Sequence, residues 1–238
     1  FSGYYDHYNF YFADVKTENN IYYKENLKYW KKYQLKDIRN PFLQNYNLIQ
    51  RNRNFRKHIY QDKKKFFKFF TKEFNSTFVE KRYHFGQLRN RMMNEVFHET
   101  VPVILKEDDL NSMNFSVENR SPFLDKNLFE FMMTVPTNQL IRLGLTKYLL
   151  RQAMGKIVNK KILNQRKKIG FNASISELID FKLKKNIEFF LDKNSIFDIV
   201  NRSSIEKLLN KKSFTISEIN FLFNFINAKF FLKRNEII

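Results

Sequence analysis

The residues best suited to chemistry lie in two short segments some forty positions apart. Residues 118–125 read E-N-R-S-P-F-L-D, so a carboxylate and a guanidinium stand two positions apart, just before a proline-bounded turn and a helix start. Residues 166–171 read R-K-K-I-G-F, where two adjacent ammonium groups precede a glycine. Because glycine has no side chain, backbone and charge can approach a phosphate closely at such a position. The two segments together predict a site for anionic substrates.

Four segments, in order along the chain, resemble motifs from the synthetase domain of the glutamine-hydrolysing asparagine synthetases. Residues 1–5, F-S-G-Y-Y, resemble the end of the family's G-D-E-(L/I)-F-x-G-Y segment. Residues 111–125 are similar to its S-M-x-x-S-x-E-x-R-x-P-F-L-D signature. Residues 146–151 match T-K-Y-L-L-R, and residues 166–171 resemble R-x-K-x-G-F. Each motif is weak alone, whereas the ordered set is a strong signal.

The resemblance implies an ATP-dependent amide synthesis, as in asparagine biosynthesis. In that family an acceptor carboxylate, aspartate in the namesake enzymes, attacks the α-phosphorus of ATP to give an acyl-adenylate and pyrophosphate. Ammonia, which a separate domain releases from glutamine, then displaces AMP. Since a carboxylate and a triphosphate share one pocket, fixed cations must offset their repulsion and the charge on the leaving pyrophosphate.

The resemblance also assigns candidate site residues. The lysine of R-x-K-x-G-F faces the α-phosphate in the family, and Lys168 holds that position here; a solvated lysine in a basic turn is the alternative. Arg120 either helps to hold the acceptor carboxylate bidentately or forms a structural ion pair with Glu118. Lys147 and Arg151 are four positions apart on one predicted helix face, which either lines the phosphate side or is solvated.

Tyr4 and the histidines are the remaining residues that a nucleotide site or a metal site could use. Tyr4 either packs beside the nucleotide or is an ordinary core tyrosine. The histidines have no metal-ligand spacing, so no metal ligand is assigned within the chain. They are His7, His58, His84 and His98. The resemblance implies Mg²⁺ as a cofactor with ATP, and its Asp-Glu ligands are expected upstream of Phe1.

The sequence departs from the family pattern in what it lacks. It contains no S-G-G-x-D-S loop, whose backbone amides cradle the β- and γ-phosphates in the family, and no glutaminase domain with an N-terminal cysteine. Lysines cannot replace these phosphate contacts and metal ligands. We therefore expect the chain to be the C-terminal part of a longer synthetase, inactive alone, whose partners include the missing glutaminase and PP-loop segments.

Composition narrows the class of protein. With 43% hydrophobic residues in 238, the chain can build a packed core, and its 5 Gly and 4 Pro favour helices over a turn-rich β fold. The absence of cysteine excludes disulfides and thiolate metal sites and fits a cytoplasmic location. No apolar run is long enough to span a membrane.

The net charge of +19 raises an alternative function, a basic helical module that binds nucleic acid. Residues 51–91 hold thirteen Lys or Arg against three acids, with aromatic residues between them. No known nucleic-acid-binding motif accompanies this charge, so nucleic acid is the second choice of partner. A purely structural module that pairs with a partner subunit is a third possibility.

Hydrophobic periodicity predicts a largely helical chain. We expect a loop over residues 1–12 that leads into a helix, and helices over residues 22–35, 55–74 and 87–99, the last ending before Pro102. Helical character then resumes, and strand signals are weak throughout.

Polar residues mark the predicted helix starts further along. Asp125 is interpreted as the N-cap of a helix that ends near Pro136, and Thr146 as the N-cap of a helix over residues 147–154. Three capping boxes are predicted to open later helices. They pair Ser174 with Glu177, Ser203 with Glu206, and Thr215 with Glu218.

The expected fold class is mostly α. The resemblance specifies it as the helical C-terminal portion of an adenine-nucleotide α-hydrolase-like (PP-loop) synthetase domain that lacks most of its parallel sheet. Residues 1–238 are treated as one partial domain. Within it, residues 9–87 are a divergent basic helical region, residues 88–175 the motif-bearing core, and residues 176–238 the C-terminal helices.

Overall fold

The chain folds into two compact units, one made of Phe1–His58 and Phe78–Ile169 and the other of Ile59–Thr77 and Gly170–Ile238. The computed structural model describes residues 3–56, 58, 66–72, 79–166 and 175–235. These residues are mostly helical, as predicted. None of their helices has the length and apolar character needed to cross a membrane.

The first unit consists of short and medium helices and, among the described residues, one β-hairpin. The α-helices that the structure describes in it are α1 (Asp6–Glu18), α2 (Asn20–Tyr33), α3 (Leu48–Arg51), α4 (Gln87–Phe97), α5 (Thr100–Met113), α6 (Lys126–Thr134), α7 (Tyr148–Ala153) and α8 (Lys160–Leu163). The hairpin pairs β1 (Ile141–Arg142) with β2 (Leu145–Thr146) in antiparallel register. Its turn places Leu143 and Gly144 at positive φ, 53° and 70°.

The prediction of a loop over residues 1–12 was wrong, because α1 begins at Asp6 and forms the centre of the core. Tyr8, Phe10, Tyr11 and Phe12 are at most 2% exposed. Because ten consecutive residues of α1 are buried, polar ones such as His7 and Asn9 among them, its apolar positions have no strong 3.6-residue pattern and the usual periodic signal is absent. The helix predicted over 22–35 corresponds to α2, which ends before Pro41.

The motif-bearing stretch follows the predicted boundaries more closely. Helix α4 covers most of the predicted 87–99, and the chain re-enters helix as α5, with Pro102 in its first turn. No residue of α5 is buried. Leu110, within α5, is 60% exposed, and Phe115, just beyond the end of the helix, is 78% exposed. Half of the predicted helix over 55–74 lies outside the described residues. In the described half the prediction of one continuous helix was wrong, because Phe55 and Arg56 have no regular structure and Phe70 forms a β-bridge.

The N-cap at Asp125 is confirmed, whereas the one at Thr146 was wrong. Asp125 Oδ1 accepts a hydrogen bond from the Leu128 amide at 2.9 Å, as an N-cap should. Thr146 instead pairs with Ile141 in the hairpin, and α7 begins at Tyr148 after the chain turns at Lys147. Because the backbone of Thr146 pairs with Ile141 in the hairpin, Thr146 belongs to a strand and does not cap the following helix.

The second unit contains the later helices. Those that the structure describes are α9 (Ile175–Leu178), α10 (Lys184–Leu191), α11 (Arg202–Leu209) and α12 (Ile216–Asn235). A core of phenylalanine and aliphatic side chains, centred on Phe190, Ile205 and Leu222, holds them together. Phe70 adds a β-bridge to Val200.

The three predicted capping boxes have different outcomes. The Thr215–Glu218 box is confirmed, since the Thr215 amide donates to Glu218 at 2.9 Å and the Glu218 amide donates back at 3.4 Å. The Ser203–Glu206 box was wrong: Asn201 caps α11 by accepting from the Ser204 amide at 3.2 Å. Asparagine is as good an N-cap as serine, and it stands two positions earlier. The Ser174–Glu177 box lies outside the described residues because Ser174 does.

One buried ion network ties the N-terminal part of α4 to its surroundings. Arg91 donates to Glu80 at 3.0 Å and to both oxygens of Glu99 at 2.6 and 2.8 Å. Arg56 donates to the other oxygen of Glu80 at 2.5 Å. Burial alone would raise the pKa of Glu80, but the two guanidinium groups outweigh burial and hold that pKa below its usual range.

A buried lysine closes the end of α10 in the second unit. Lys229 is fully buried, and its ammonium donates to the Phe189 and Phe190 carbonyls at 2.5 and 3.1 Å and to the Asp192 carbonyl at 3.1 Å. Burial lowers the pKa of Lys229. A cation here satisfies carbonyls that the helix end leaves without amide partners.

Glu80→Gln should lower the free energy of unfolding by about 2–3 kcal/mol near neutral pH, because it removes the carboxylate charge that the buried Arg56 and Arg91 guanidinium groups share. A carboxylate with a depressed pKa stabilises the fold above its unfolded pKa, and this contribution is lost as pH falls through the folded pKa. The difference between wild type and variant should therefore shrink as pH falls below the unfolded pKa of about 4.3 and be lost below the depressed pKa of the folded state. Urea unfolding across pH measures it. Glu118→Gln, at an exposed pair, is the control, and equal losses in both would contradict the account.

Lys229→Met should destabilise the chain by about 1–3 kcal/mol, since three carbonyls and the Asp192 carboxylate lose their donor. Thermal unfolding measures the change. Lys233→Met, on the same helix but 54% exposed, should cost much less. The interpretation fails if the two variants unfold alike.

Candidate functional site

A cavity of about 290 Å³ in the first unit joins three of the four motif segments. Gly3 and Tyr5 come from the first motif, Lys147 and Arg151 from the third, and Arg166 from the fourth. The described lining residues thus include three cations and no carboxylate. A pocket with this charge is suited to phosphate or another anion, and we call it the motif cavity.

Lys147 contributes the exposed cation of the motif cavity. It has a φ of 55°, in the left-handed region that costs an ordinary residue about 1–2 kcal/mol. Its side chain lies over Gly3, where an added Cβ would stand 3.1 Å from Lys147 Cε. Lys147 forms no ion pair with any residue that the structure describes. Strain of this kind is concentrated at functional sites in proteins.

Arg151 lines the motif cavity but is held mainly by backbone carbonyls. Its Nε donates to the Thr146 carbonyl at 2.8 Å, and its Nη1 donates to the Ile162 and Leu163 carbonyls at 3.2 and 2.6 Å. Burial lowers the pKa of Arg151. These bonds join β2 and α7 to the end of α8, so Arg151 positions the cavity wall as well as adding charge.

Arg166 fixes the start of the fourth motif against α2. Its guanidinium lies 4.4 Å from the ring centroid of Tyr33 and 5.6 Å from that of Tyr29, and it donates to the Leu143 carbonyl. Gln34 donates to the Arg166 carbonyl at 3.0 Å. The chain is therefore well positioned up to two residues before Lys168. Lys168 itself lies outside the described residues.

Gln34 and Tyr8 also hold the hairpin turn beside the cavity. Both donate to the Gly144 carbonyl, each at 3.0 Å. Neither residue was predicted to have a role, because a single glutamine and a core tyrosine carry no signal in the sequence that could have identified them.

A buried relay of hydrogen bonds fixes Gly3 at the rim of the cavity. The Gly3 amide donates to His7 Nδ1 at 3.1 Å, so the ring proton of a neutral His7 is on Nε2. His7 Nε2 then donates to Glu95 at 2.9 Å, and Glu95 lies 3.3 Å from Arg91. The Tyr4 ring packs edge-on against His7 at 5.4 Å rather than lining the cavity.

Asp6, His7 and Glu95 have the donor types of a metal site, with donor atoms within 4.8 Å of one another. The local chemistry favours ion pairs instead. His7 Nε2 carries its proton toward Glu95, so it offers no lone pair to a metal. The Arg91 guanidinium, 3.6 Å from Asp6 and 3.3 Å from Glu95, already supplies the positive charge.

Glu118 and Arg120 lie apart from the lining of the motif cavity. Their side chains are 68% and 81% exposed, and Arg120 donates to the two oxygens of Glu118 at 3.0 and 3.1 Å. The two residues thus form the ion pair that sequence reasoning offered as one of two interpretations. In this arrangement Glu118 occupies the face of Arg120 that would bind an acceptor carboxylate.

Comparison with known proteins supports the resemblance to asparagine synthetases. A family model described as asparagine synthase matches residues 5–219, including the divergent region without visible motifs. Asparagine synthetase [glutamine-hydrolyzing] 1 from Bacillus subtilis (strain 168) is 32% identical over 107 residues. The aligned part is 45% of this chain but 17% of the length of that relative. No solved structure matches the chain significantly. The extent of the family match shows that the chain belongs to the asparagine synthase family.

Proposed function

We propose that the chain forms one wall of the nucleotide site of an ATP-dependent carbon–nitrogen ligase. The reaction would adenylate a carboxylate, aspartate or a related acceptor, and then convert it to an amide with ammonia from glutamine. The observation that carries the proposal is the motif cavity, where three motif segments place three cations without a carboxylate among the described lining residues. Family membership supports the same class of reaction.

The cations would have different tasks. Lys147 extends over Gly3 without an ion-pair partner among the described residues, so its ammonium is available to a phosphate oxygen. Arg151 and Arg166 mainly bind backbone carbonyls and would hold the walls of the cavity in position. Lys168 follows Arg166 closely and would stabilise negative charge at the α-phosphate during adenylation.

The cavity fits the phosphates of ATP better than it fits a metal. Mg²⁺ prefers carboxylate oxygens, which the described lining residues do not supply. Its ligands would therefore come from the Asp-Glu pair that the family carries before the position of Phe1. Bound Mg²⁺ would neutralise charge on the pyrophosphate.

The remaining partners are protein segments. A segment with the S-G-G-x-D-S loop would cradle the β- and γ-phosphates, and a glutaminase would supply ammonia. The exposed apolar side chains of α5 and the turn after it offer a surface on which such a segment could pack. Alone, the chain would not catalyse the reaction, and we place the complete enzyme in the cytoplasm. Arg120 would contact the acceptor carboxylate only after its ion pair with Glu118 had broken.

Lys168→Ala in the complete enzyme should reduce ATP–pyrophosphate exchange about 10²–10³-fold, the usual loss on removing one group that stabilises transition-state charge. Lys156→Ala, at an exposed lysine outside the cavity lining, should leave the exchange rate unchanged. Exchange near the wild-type rate in Lys168→Ala would remove Lys168 from the mechanism.

Lys147→Gly separates backbone strain from charge. Glycine tolerates positive φ, so the variant should unfold at the same temperature as wild type or slightly above it. Loss of the ammonium should still slow exchange by about tenfold or more. Lys147→Arg should retain much of the rate. A Lys147→Gly enzyme with unchanged exchange would show that the position serves the turn alone.

A further inference from the structure

A second cavity, of about 450 Å³, lies in the first unit among residues that the proposed ligase reaction does not use. It is formed by the stretch after α3 and the stretch before α4, both within the basic region 51–91. Its lining includes three arginines, Arg53, Arg56 and Arg82, against one carboxylate, Glu80. We call it the arginine cleft.

Two of these arginines are available to a ligand. Glu80 is already bound by Arg56 at 2.5 Å and by Arg91 at 3.0 Å, so its charge is compensated. Arg53 and Arg82 are exposed and form no ion pair with any residue that the structure describes. The free charge in the cleft is therefore positive.

A histidine adds a ring N–H donor. The Gly86 amide donates to His84 Nδ1 at 2.9 Å, which leaves the proton of the neutral ring on Nε2. His84 lines the arginine cleft, so this N–H can join the arginines in contacting phosphate oxygens.

The wall of the cleft is fixed by two asparagines of α4. Asn94 accepts from the Lys81 amide at 2.9 Å and donates to the Lys81 carbonyl at 2.8 Å. Asn90 accepts from the Tyr83 amide at 2.7 Å. The side chains thus bind the backbone as a neighbouring strand would, so the cleft wall needs little ordering when a ligand binds.

An aromatic ring stands at the edge of the cleft. Phe85 is 86% exposed, and the Arg82 guanidinium lies 5.6 Å from its ring centroid. An exposed phenylalanine beside free arginines provides what a nucleic-acid strand requires, a face for base stacking and cations for its phosphates.

We propose that the arginine cleft binds single-stranded nucleic acid. A base stacks on Phe85, and phosphates on either side of it contact Arg53 and Arg82. The occupant is a strand rather than a protein because the cleft combines phosphate donors with an exposed aromatic ring, and the surrounding basic region attracts a polyanion. The proposal is independent of the ligase reaction, because the arginine cleft and the motif cavity share no lining residue.

The test uses this chain with a fluorescently labelled single-stranded oligonucleotide of about 12 nucleotides, a length that covers one such site. Anisotropy titrations at about 50 and 200 mM salt give the affinity and its salt dependence. Arg53→Glu with Arg82→Glu should weaken binding at least about tenfold and reduce the salt slope by about 1.4, as expected for two lost contacts to a single strand. Phe85→Ala should weaken binding about tenfold through lost stacking.

The matched control is Lys24→Glu with Lys28→Glu, which makes the same change in charge at exposed positions of α2 outside the cleft. It should weaken binding less than about threefold at the higher salt. Equal weakening by the two double variants would overturn the proposal, since binding would then follow net charge alone. So would unchanged affinity in Phe85→Ala, or duplex DNA binding as tightly as the single strand.

Discussion

Helix α1 has almost no solvent face, and this constraint organises the first unit. A buried polar side chain must find a hydrogen-bond partner or destabilise the fold. His7, Asn9 and Asp14 therefore each connect α1 to another part of the unit. Asn9 donates to the Asn45 carbonyl at 2.7 Å, and Asp14 accepts from the Gln87 and Leu88 amides at 2.7 and 3.0 Å. Burial raises the pKa of Asp14 even though these amides oppose the shift.

The site depends on the same constraint. Tyr8 and His7, from successive positions of α1, hold the hairpin turn and Gly3 respectively. Helix α1 thus fixes two parts of the backbone beside the motif cavity, although it carries none of the cavity's cations. Two of the three have guanidinium groups committed to backbone carbonyls, which leaves the strained Lys147 as the side chain best able to follow a ligand.

The sequence predicted what depends on local pattern. Amphipathic helices such as α2 and α4, the cap at Asp125 and the Thr215–Glu218 box were found because each signal lies within a few residues. Helix α1 was missed because burial on all sides removes the periodicity. Thr146 was misassigned because a strand partner in the hairpin outcompeted a local cap.

The candidate site was predictable in part. Motif order identified Lys147, Arg151 and the segment that begins at Arg166, and these do meet at one cavity. The residues that hold them, such as Gln34 and His7, act across 110 and 88 positions of sequence, and no local pattern encodes such pairs. Arg120 was selected from the same set of motifs but lies outside the lining of that cavity. Membership in a motif therefore did not by itself predict that a residue lies at the cavity.

Each unit is discontinuous in sequence, and this has a practical consequence for dissecting the chain. The chain leaves the first unit after His58, contributes Ile59–Thr77 to the second unit, and returns to the first unit at Phe78. A truncation after residue 169 would remove α9 to α12 but retain Phe66 and Phe69, whose buried faces pack on the deleted core. The shortened product would carry orphaned apolar surface and be prone to precipitate. Separating the two units requires one linker that replaces residues 59–77 in the first unit and another that joins this stretch to residue 170 in the second.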